Sequence, residues 1–404
     1  MTYANAVKYI NHLPDGDANA ERAHKVLESI LQTERQMKVV HVMGKYGKNS
    51  SHRMLSSILR EGGYTVGGYS PSHALEPRDA ITVNGRMIGY DDFARIIGSL
   101  RSAYEGIDTP LPPSRREALC LAAIVYFYES GCDVSIFEKG LDRTDAVNIT
   151  KAPAVSVISA IIDPSEDEYS FVDTFRRECA ETVSATQSKA IYSLISERCV
   201  DTGSRLTVPL YSELEISKIN LFKTAFTYRG KEYSIRSFSP CQTINAITVI
   251  EAAAALTRVG IAITDESIKA GLERTQLPHK CEALSLQPAV ITADVGDSVR
   301  LDTFTASLAQ VKDDFDGKII FATDPECQFD TEHILRALDL GDTDRVSFSE
   351  IPEGLTPARR RKYIYSLVSP LLSEEYGRNA VVFLGDAAFV RAVSDAVRDG
   401  LGRI

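Results

Sequence analysis

"HVMGKYGKNSSHRML", residues 41 to 55, runs from the end of an apolar strand, through a glycine loop holding a lysine, into the start of a helix. Such a loop exposes several backbone N–H groups to one anion. The helix dipole adds to that field, a lysine neutralises the outer charge, and a hydroxyl at the helix start can hold magnesium. Here those roles fall to Gly44, Gly47, Lys48, and Ser50 or Ser51. Only Lys45 and Tyr46 separate the glycines, so the spacing is shorter than the common GxxxxGK[ST] form. Taken alone, the stretch reads equally as a phosphate loop and as a tight strand-to-helix turn.

On either side of the loop, strands and helices alternate. "MKVVHVMG" (37 to 44) is a buried-strand run, "SSHRMLSSILREGG" a helix ending in glycines, and "YTVGGYS" a second strand. "PSRREALCLAAIVYFYESG" is an amphipathic helix feeding the strand "CDVSIFEKG", and "AVSVISAII" is another apolar strand. This alternation predicts a parallel sheet with helices on its faces. From about 204 to 238 the period changes to two, which predicts antiparallel strands with a hairpin turn near "YRGKE". A helix pair follows, the second opening on an approximate cap at Thr264 to Ser267. A second alternating unit then begins with "AVITADV", so the expected domains are 1–285 and 286–404.

The chain has 404 residues, 44% of them apolar and 25% charged, which suffices for two or three domains with proper cores. The net charge of -10 is spread along it, leaving no basic stripe for a nucleic-acid backbone. "PARRRKY" (357 to 363) reads as a solvated helix face. No stretch reaches the roughly 18 uninterrupted apolar residues a membrane helix needs, and the start lacks the plan of a signal peptide. No membrane partner and a cytoplasmic address are therefore expected. Seven scattered cysteines without a CxxC pair suit reduced thiols rather than disulfides or a zinc site. Cys120, Cys179 and Cys199 read as core residues, His41 as a packed histidine, and Glu117 as either a helix surface acid or a site residue.

Placed in order, these segments resemble the folylpolyglutamate synthase and dihydrofolate synthase family of the Mur ligase superfamily. The resemblance is carried by the loop, "GYTVGGYSPSH", "RDAITVNGRMI", "PPSRREALCLAAIVYFYESGCDVSIFEKGLDRTDAVN", "SPCQTINA", "LERTQLPHKCEAL", "VITADVGDSV" and "VVFLGDAAFV". It implies an α/β fold: a P-loop-type central domain with a parallel sheet and an antiparallel subsheet, then a smaller Rossmann-like domain. It also implies a chemistry in which ATP phosphorylates a substrate carboxylate and the amine of glutamate attacks the acyl phosphate, with magnesium and lysine stabilising the transferring charge. Carried over, Lys48 grips the outer phosphates, and Ser50 and Glu138 ligate a first magnesium. Gln242 and Asn245 lie near the nucleotide, Asp294 reaches its ribose, and His73 stands on the substrate side.

The departures from the family pattern cluster where the chemistry lies. Lys45 and Tyr46 stand where the family has threonine and asparagine, and Asn49 where it has glycine, a side chain that crowds the phosphate if the backbone there is unusual. Asp163 is followed by Pro164 in place of the histidine that ligates a second metal, and no lysine occurs from Ala152 to Ser188, where the family carries one. "KGLDRTDAVN" is one residue short, Asp297 and Ser298 replace a His-Asn pair, Cys241 stands where histidine is common, and His279-Lys280 replaces Gly-Arg. The second metal site is thus expected to be lost. The leading expectation is a catalytically impaired homologue that binds, scaffolds or regulates beside an active ligase or pathway enzyme. An active ATP-dependent amide ligase with a changed substrate, and a nucleotide sensor without turnover, are the alternatives.

Overall fold

The computed structural model describes all residues except 17, 32–36, 72, 73, 75, 108–111, 143, 166, 176, 177, 287, 315, 316, 325, 326, 328–330, 339–345, 353, 356, 373–378 and 402–404. The chain divides into two compact units, residues 1–211 with 244–274, and residues 212–243 with 275–404. No helix among the described residues is long and apolar enough to cross a membrane.

The first unit opens with helices α1 (Tyr3–His12) and α2 (Ala20–Ile30) and then alternates around one sheet. Its strands are β1 (Lys38–Met43), β2 (Val66–Tyr69), β3 (Ile81–Val83), β4 (Arg86–Met87), β5 (Val134–Glu138), β6 (Val155–Ile158), β7 (Glu181–Ser184) and β8 (Arg205–Thr207). Their order is β4-β3-β2-β5-β1-β6-β7-β8, parallel from β2 to β8, with β3 and β4 added as an antiparallel edge. The helices between them are α3 (Lys48–Glu61), α4 (Tyr90–Glu105), α5 (Arg115–Glu129) and α6 (Lys189–Thr202). The sheet is covered on both faces, so β5, "VSIFE", is buried at every position. Phe137 on it is fully buried against Phe127 and Tyr69, worth roughly 2–3 kcal/mol.

In the second unit, β9 (Leu214–Asn220), β10 (Lys223–Tyr228) and β11 (Lys231–Ile235) form the expected antiparallel sheet. Arg229 and Gly230, at φ 50° and 72°, make the two-residue turn whose twist suits a hairpin. Helices α7 (Pro240–Arg258) and α8 (Asp265–Arg274), which belong to the first unit from Ile244 on, precede β12 (Glu282–Leu286), β13 (Ala289–Asp294), α9 (Ser298–Ala309), β14 (Ile319–Thr323), α10 (Thr331–Ala337), β15 (Val346–Glu350), α11 (Pro357–Leu372), β16 (Ala380–Gly385) and α12 (Ala387–Leu401). The sheet order is β12-β13-β16-β14-β15, parallel except for β12. Residues 212–243 and 275–285, which the expected boundary at 285/286 leaves in the first domain, group with this unit. Leu221, Phe238 and Cys281 share a core with Ile291 and Phe304, and β12 pairs with β13, which accounts for the grouping.

Candidate functional site

The parallel register sets Val42 of β1 beside Glu138 of β5, and Met43 beside Ile158 of β6. The chain then leaves the sheet between two strand ends and has little room. A Cβ on Gly44, at φ 128°, meets Ser159 Oγ at 2.3 Å, and one on Gly47, at φ 89°, meets Asn245 Oδ1 at 2.4 Å. Both glycines are therefore required by backbone angle and by contact. Gly47 is the N-cap of α3 and no side chain caps the helix, so the first-turn N–H groups and the positive end of the dipole are open to an anion. The N–H groups of Lys45 and Tyr46 are spent on Ala160 O, at 3.0 and 2.9 Å. The anion-facing donors thus start at Gly47. Lys48 has no hydrogen-bond or ion-pair partner among the described residues.

Glu138 is buried at 2% exposure, and its two oxygens are treated differently. Oε1 accepts from Ser70 Oγ at 2.6 Å and from Asn49 Nδ2 at 3.1 Å. Arg53 Nε donates to Asn49 Oδ1 at 3.0 Å, which fixes that amide with its NH2 toward Glu138. Oε2 is buried with no partner among the described residues, as is Ser51 Oγ. A buried carboxylate oxygen without a donor is expensive. The hard oxygens of Glu138, Ser50 and Ser51, beside an anion cradle, fit magnesium. Among the described residues no group of three or more His, Cys, Asp and Glu is placed to hold a metal, so Glu138 is not part of an acid or imidazole cluster. Behind Ser51, burial pushes the His52 imidazole below its ordinary pKa, with Glu138 opposing and Arg53 adding to the shift.

No protein-family model matches the chain. The dihydrofolate synthase/folylpolyglutamate synthase of Bacillus subtilis is 25% identical over 298 residues, 67% of this chain and 67% of that one. The dihydrofolate synthetase of Saccharomyces cerevisiae is 27% identical over 201 residues, which is 46% of each, so the match spans under half of that relative. A solved folylpolyglutamate synthase from Thermotoga maritima superposes with TM-score 0.76 at 21% identity, covering 98% of this chain and 97% of that one. The Mycobacterium tuberculosis folylpolyglutamate synthase, complexed with ADP and AMPPCP, gives 0.72 at 18%, covering 100% and 99%. The chain is similar in sequence to folylpolyglutamate and dihydrofolate synthases. Its fold is Mur-ligase-like.

Gly44, Gly47, Lys48, Ser50, Ser51, Glu138 and Asn245 come together around one loop. Gln242, at the start of α7, and Asp294, at the end of β13, are counted in the second unit. Asp294 has a side chain 1% exposed and is held by Lys280 Nζ at 2.8 Å and Arg300 Nη1 at 2.9 Å. Burial pushes its carboxyl up, but Lys280 and then Arg300 outweigh this and hold it below its ordinary pKa. Asp297 caps α9 by accepting from Arg300 N. His73 lies outside the described residues.

Two open readings are decided by the structure. Asn49 lies in the first turn of α3 without a positive φ, so the condition for crowding the phosphate is not met, and its Nδ2 donates to Glu138 Oε1. Glu117 is no surface acid but 0% exposed, because Arg22, Asn19 N and Tyr104 OH all donate to it. His41 is packed as expected, bonded to Thr150 Oγ1 at 2.8 Å. The sequence reading did not find Ser70, Arg53 or the partners of Lys45. The only local signal was the polar run Asn49-Ser50-Ser51 itself, since Ser70 and Glu138 are 68 residues apart.

Proposed function

We propose that this chain binds ATP with one magnesium ion at the loop from Gly44 to Lys48. We further propose that its acyl-transfer site is impaired, so that it works as a binding, scaffolding or regulatory subunit beside an active ligase or pathway enzyme. The observation that carries the nucleotide reading is the orphaned Oε2 of Glu138 beside an uncapped helix N-terminus. Lys48, without a partner among the described residues, meets the outer phosphates, and Ser50 and Glu138 hold the magnesium, which neutralises phosphate charge when bound. Asn245 backs the loop at Gly47. Gln242 is assigned to the nucleotide, Asp294 to its ribose, and His73 to the substrate side.

Impairment is supported by Pro164, whose side chain ligates nothing, and by the absence of lysine from Ala152 to Ser188. Loss of such groups costs on the order of a hundredfold each in rate, and not additively. A second reading, an active acid–amino acid ligase with a changed substrate, is favoured by the same orphaned carboxylate oxygen, a feature that a decayed site has no need to keep. The test is calorimetry with ATP and magnesium, followed by ADP release with a reduced folate or dihydropteroate and glutamate. Micromolar binding without ADP release is the expected result. No heat at millimolar nucleotide sinks the binding reading, and turnover abolished by Lys48→Ala replaces impairment with the ligase reading.

A further inference from the structure

The loop carries a second lysine, and unlike Lys48 it is engaged. Lys45 Nζ donates to the carbonyl of Asp163 at 3.0 Å and pairs with Glu168 Oε2 at 3.4 Å. The main chain ties the same two segments together. Lys45 N and Tyr46 N both donate to Ala160 O, and Tyr46 forms an isolated antiparallel bridge with Ala160. Asp163 holds a left-handed backbone, φ 45°, a conformation unfavourable for a non-glycine residue, and its carbonyl is the one that Lys45 meets. Glu168 Oε2 also accepts from Ser165 N at 2.7 Å. Burial pushes the Glu168 carboxyl up, and Ser165 and Lys45 together outweigh this and hold it below its ordinary pKa.

The two sides of the loop therefore present opposite needs to a bound polyphosphate. On the α3 side a buried carboxylate oxygen lacks a positive partner among the described residues. On the 160–168 side the carboxylate of Glu168 already has an ammonium, and that ammonium is part of the loop itself. Lys45 and Glu168 are 33% and 23% exposed, so the pair is accessible to a ligand without being fully screened by water. A divalent ion placed on this side meets a fixed like charge, a carbonyl already used, and a proline whose side chain offers no ligand.

We infer that Lys45 is the built-in second cation of the site: the nucleotide binds with a single divalent ion, at Glu138, and the Lys45 ammonium neutralises the phosphates from the 160–168 side. This rests on the nucleotide reading above and specifies its metal stoichiometry. The experiment is native mass spectrometry with Mn2+ and a methylene-bridged ATP analogue on the wild type, Lys45→Ala, Lys45→Arg and Glu168→Gln, with analogue affinities from calorimetry. The expected complex contains one Mn2+ and one analogue. Lys45→Ala weakens the analogue roughly tenfold, the effect of one charged contact, while Lys45→Arg retains most of the affinity. Glu168→Gln, which frees the ammonium and keeps the shape, binds at least as tightly as the wild type and guards against a folding defect in Lys45→Ala. Two Mn2+ ions per analogue in the wild type, or unchanged affinity in Lys45→Ala, overturns the inference. Absence of analogue binding to wild type at any Mn2+ concentration overturns the nucleotide reading as well, a different signature from a miscounted metal.

Discussion

Two buried glutamates on the same unit make opposite use of their burial. Glu117, on α5, receives Asn19 N and Arg22 Nη2 at Oε2, and Arg22 Nε and Tyr104 OH at Oε1, all within 3.1 Å. Glu138, at the end of β5, receives two donors at Oε1 and, among the described residues, none at Oε2. The first carboxylate is saturated and fastens α2 onto α5. The second keeps one oxygen unpartnered beside an anion-attracting helix end. Burial alone does not separate a structural acid from a binding one; the count of donors does.

The largest effect expected is on the saturated side. Arg22→Ala leaves Glu117 charged, buried and without its main partner, and is expected to cost about 3–5 kcal/mol of stability in urea unfolding. Nucleotide affinity of the remaining folded protein stays within about twofold, since the pair is distant in role from the loop. A loss of magnesium-dependent binding in this variant breaks the contrast. Next comes Lys48→Ala, expected to weaken ATP roughly a hundredfold by calorimetry, about 2.7 kcal/mol, with the melting temperature unchanged in the absence of ligand.

Glu138→Gln sharpens the comparison most directly. The amide keeps an oxygen for Ser70 and Asn49 and removes an uncompensated buried charge, so stability is expected to hold or rise by up to about 1 kcal/mol. Nucleotide affinity in the presence of magnesium falls roughly tenfold, while affinity in chelator is unchanged. A large loss of stability in this variant places Glu138 with Glu117 among the structural acids. Asn49→Ala is milder: Ser70 still holds Oε1, and a severalfold weakening of the magnesium-dependent component is expected in the same titration.

How much of this the sequence discloses follows from the range of the interactions. The parallel strands are legible because apolar runs such as "MKVVHVMG" are local, and the β10–β11 hairpin because Arg229-Gly230 is a local turn signal. Asn84-Gly85 carries the same signal and joins β3 to β4. The glycines and Lys48 of the loop are equally local. What decides the roles of the acids is not: Arg22 and Glu117 are 95 residues apart, and Asn49 and Glu138 are 89. Lys45 and Glu168 are 123 apart. A sequence shows that an acid is present, but whether its oxygens are saturated depends on which distant donors the topology delivers.

Asp294 in the second unit is the intermediate case and the smallest expected effect. Its oxygens are saturated, like those of Glu117, by Lys280, Arg300 and Gly296 N, but Lys280 and Arg300 are 20% and 33% exposed, so water and ligands can compete for them. Its folded pKa lies below its unfolded value. The sign follows: the ion pairs contribute their full stability above the unfolded pKa, near 4, and lose it as pH falls through the depressed folded value. Asp294→Asn is therefore expected to lower stability by roughly 1 kcal/mol at pH 7. The gap between variant and wild type should shrink as thermal melts are taken from pH 5 down toward pH 3. A gap that is constant across this range means that the carboxylate charge contributes nothing and that Asp294 acts by shape. A gap that widens toward acid reverses the assignment of the pair, because only a group whose folded pKa is raised gains stability as pH falls.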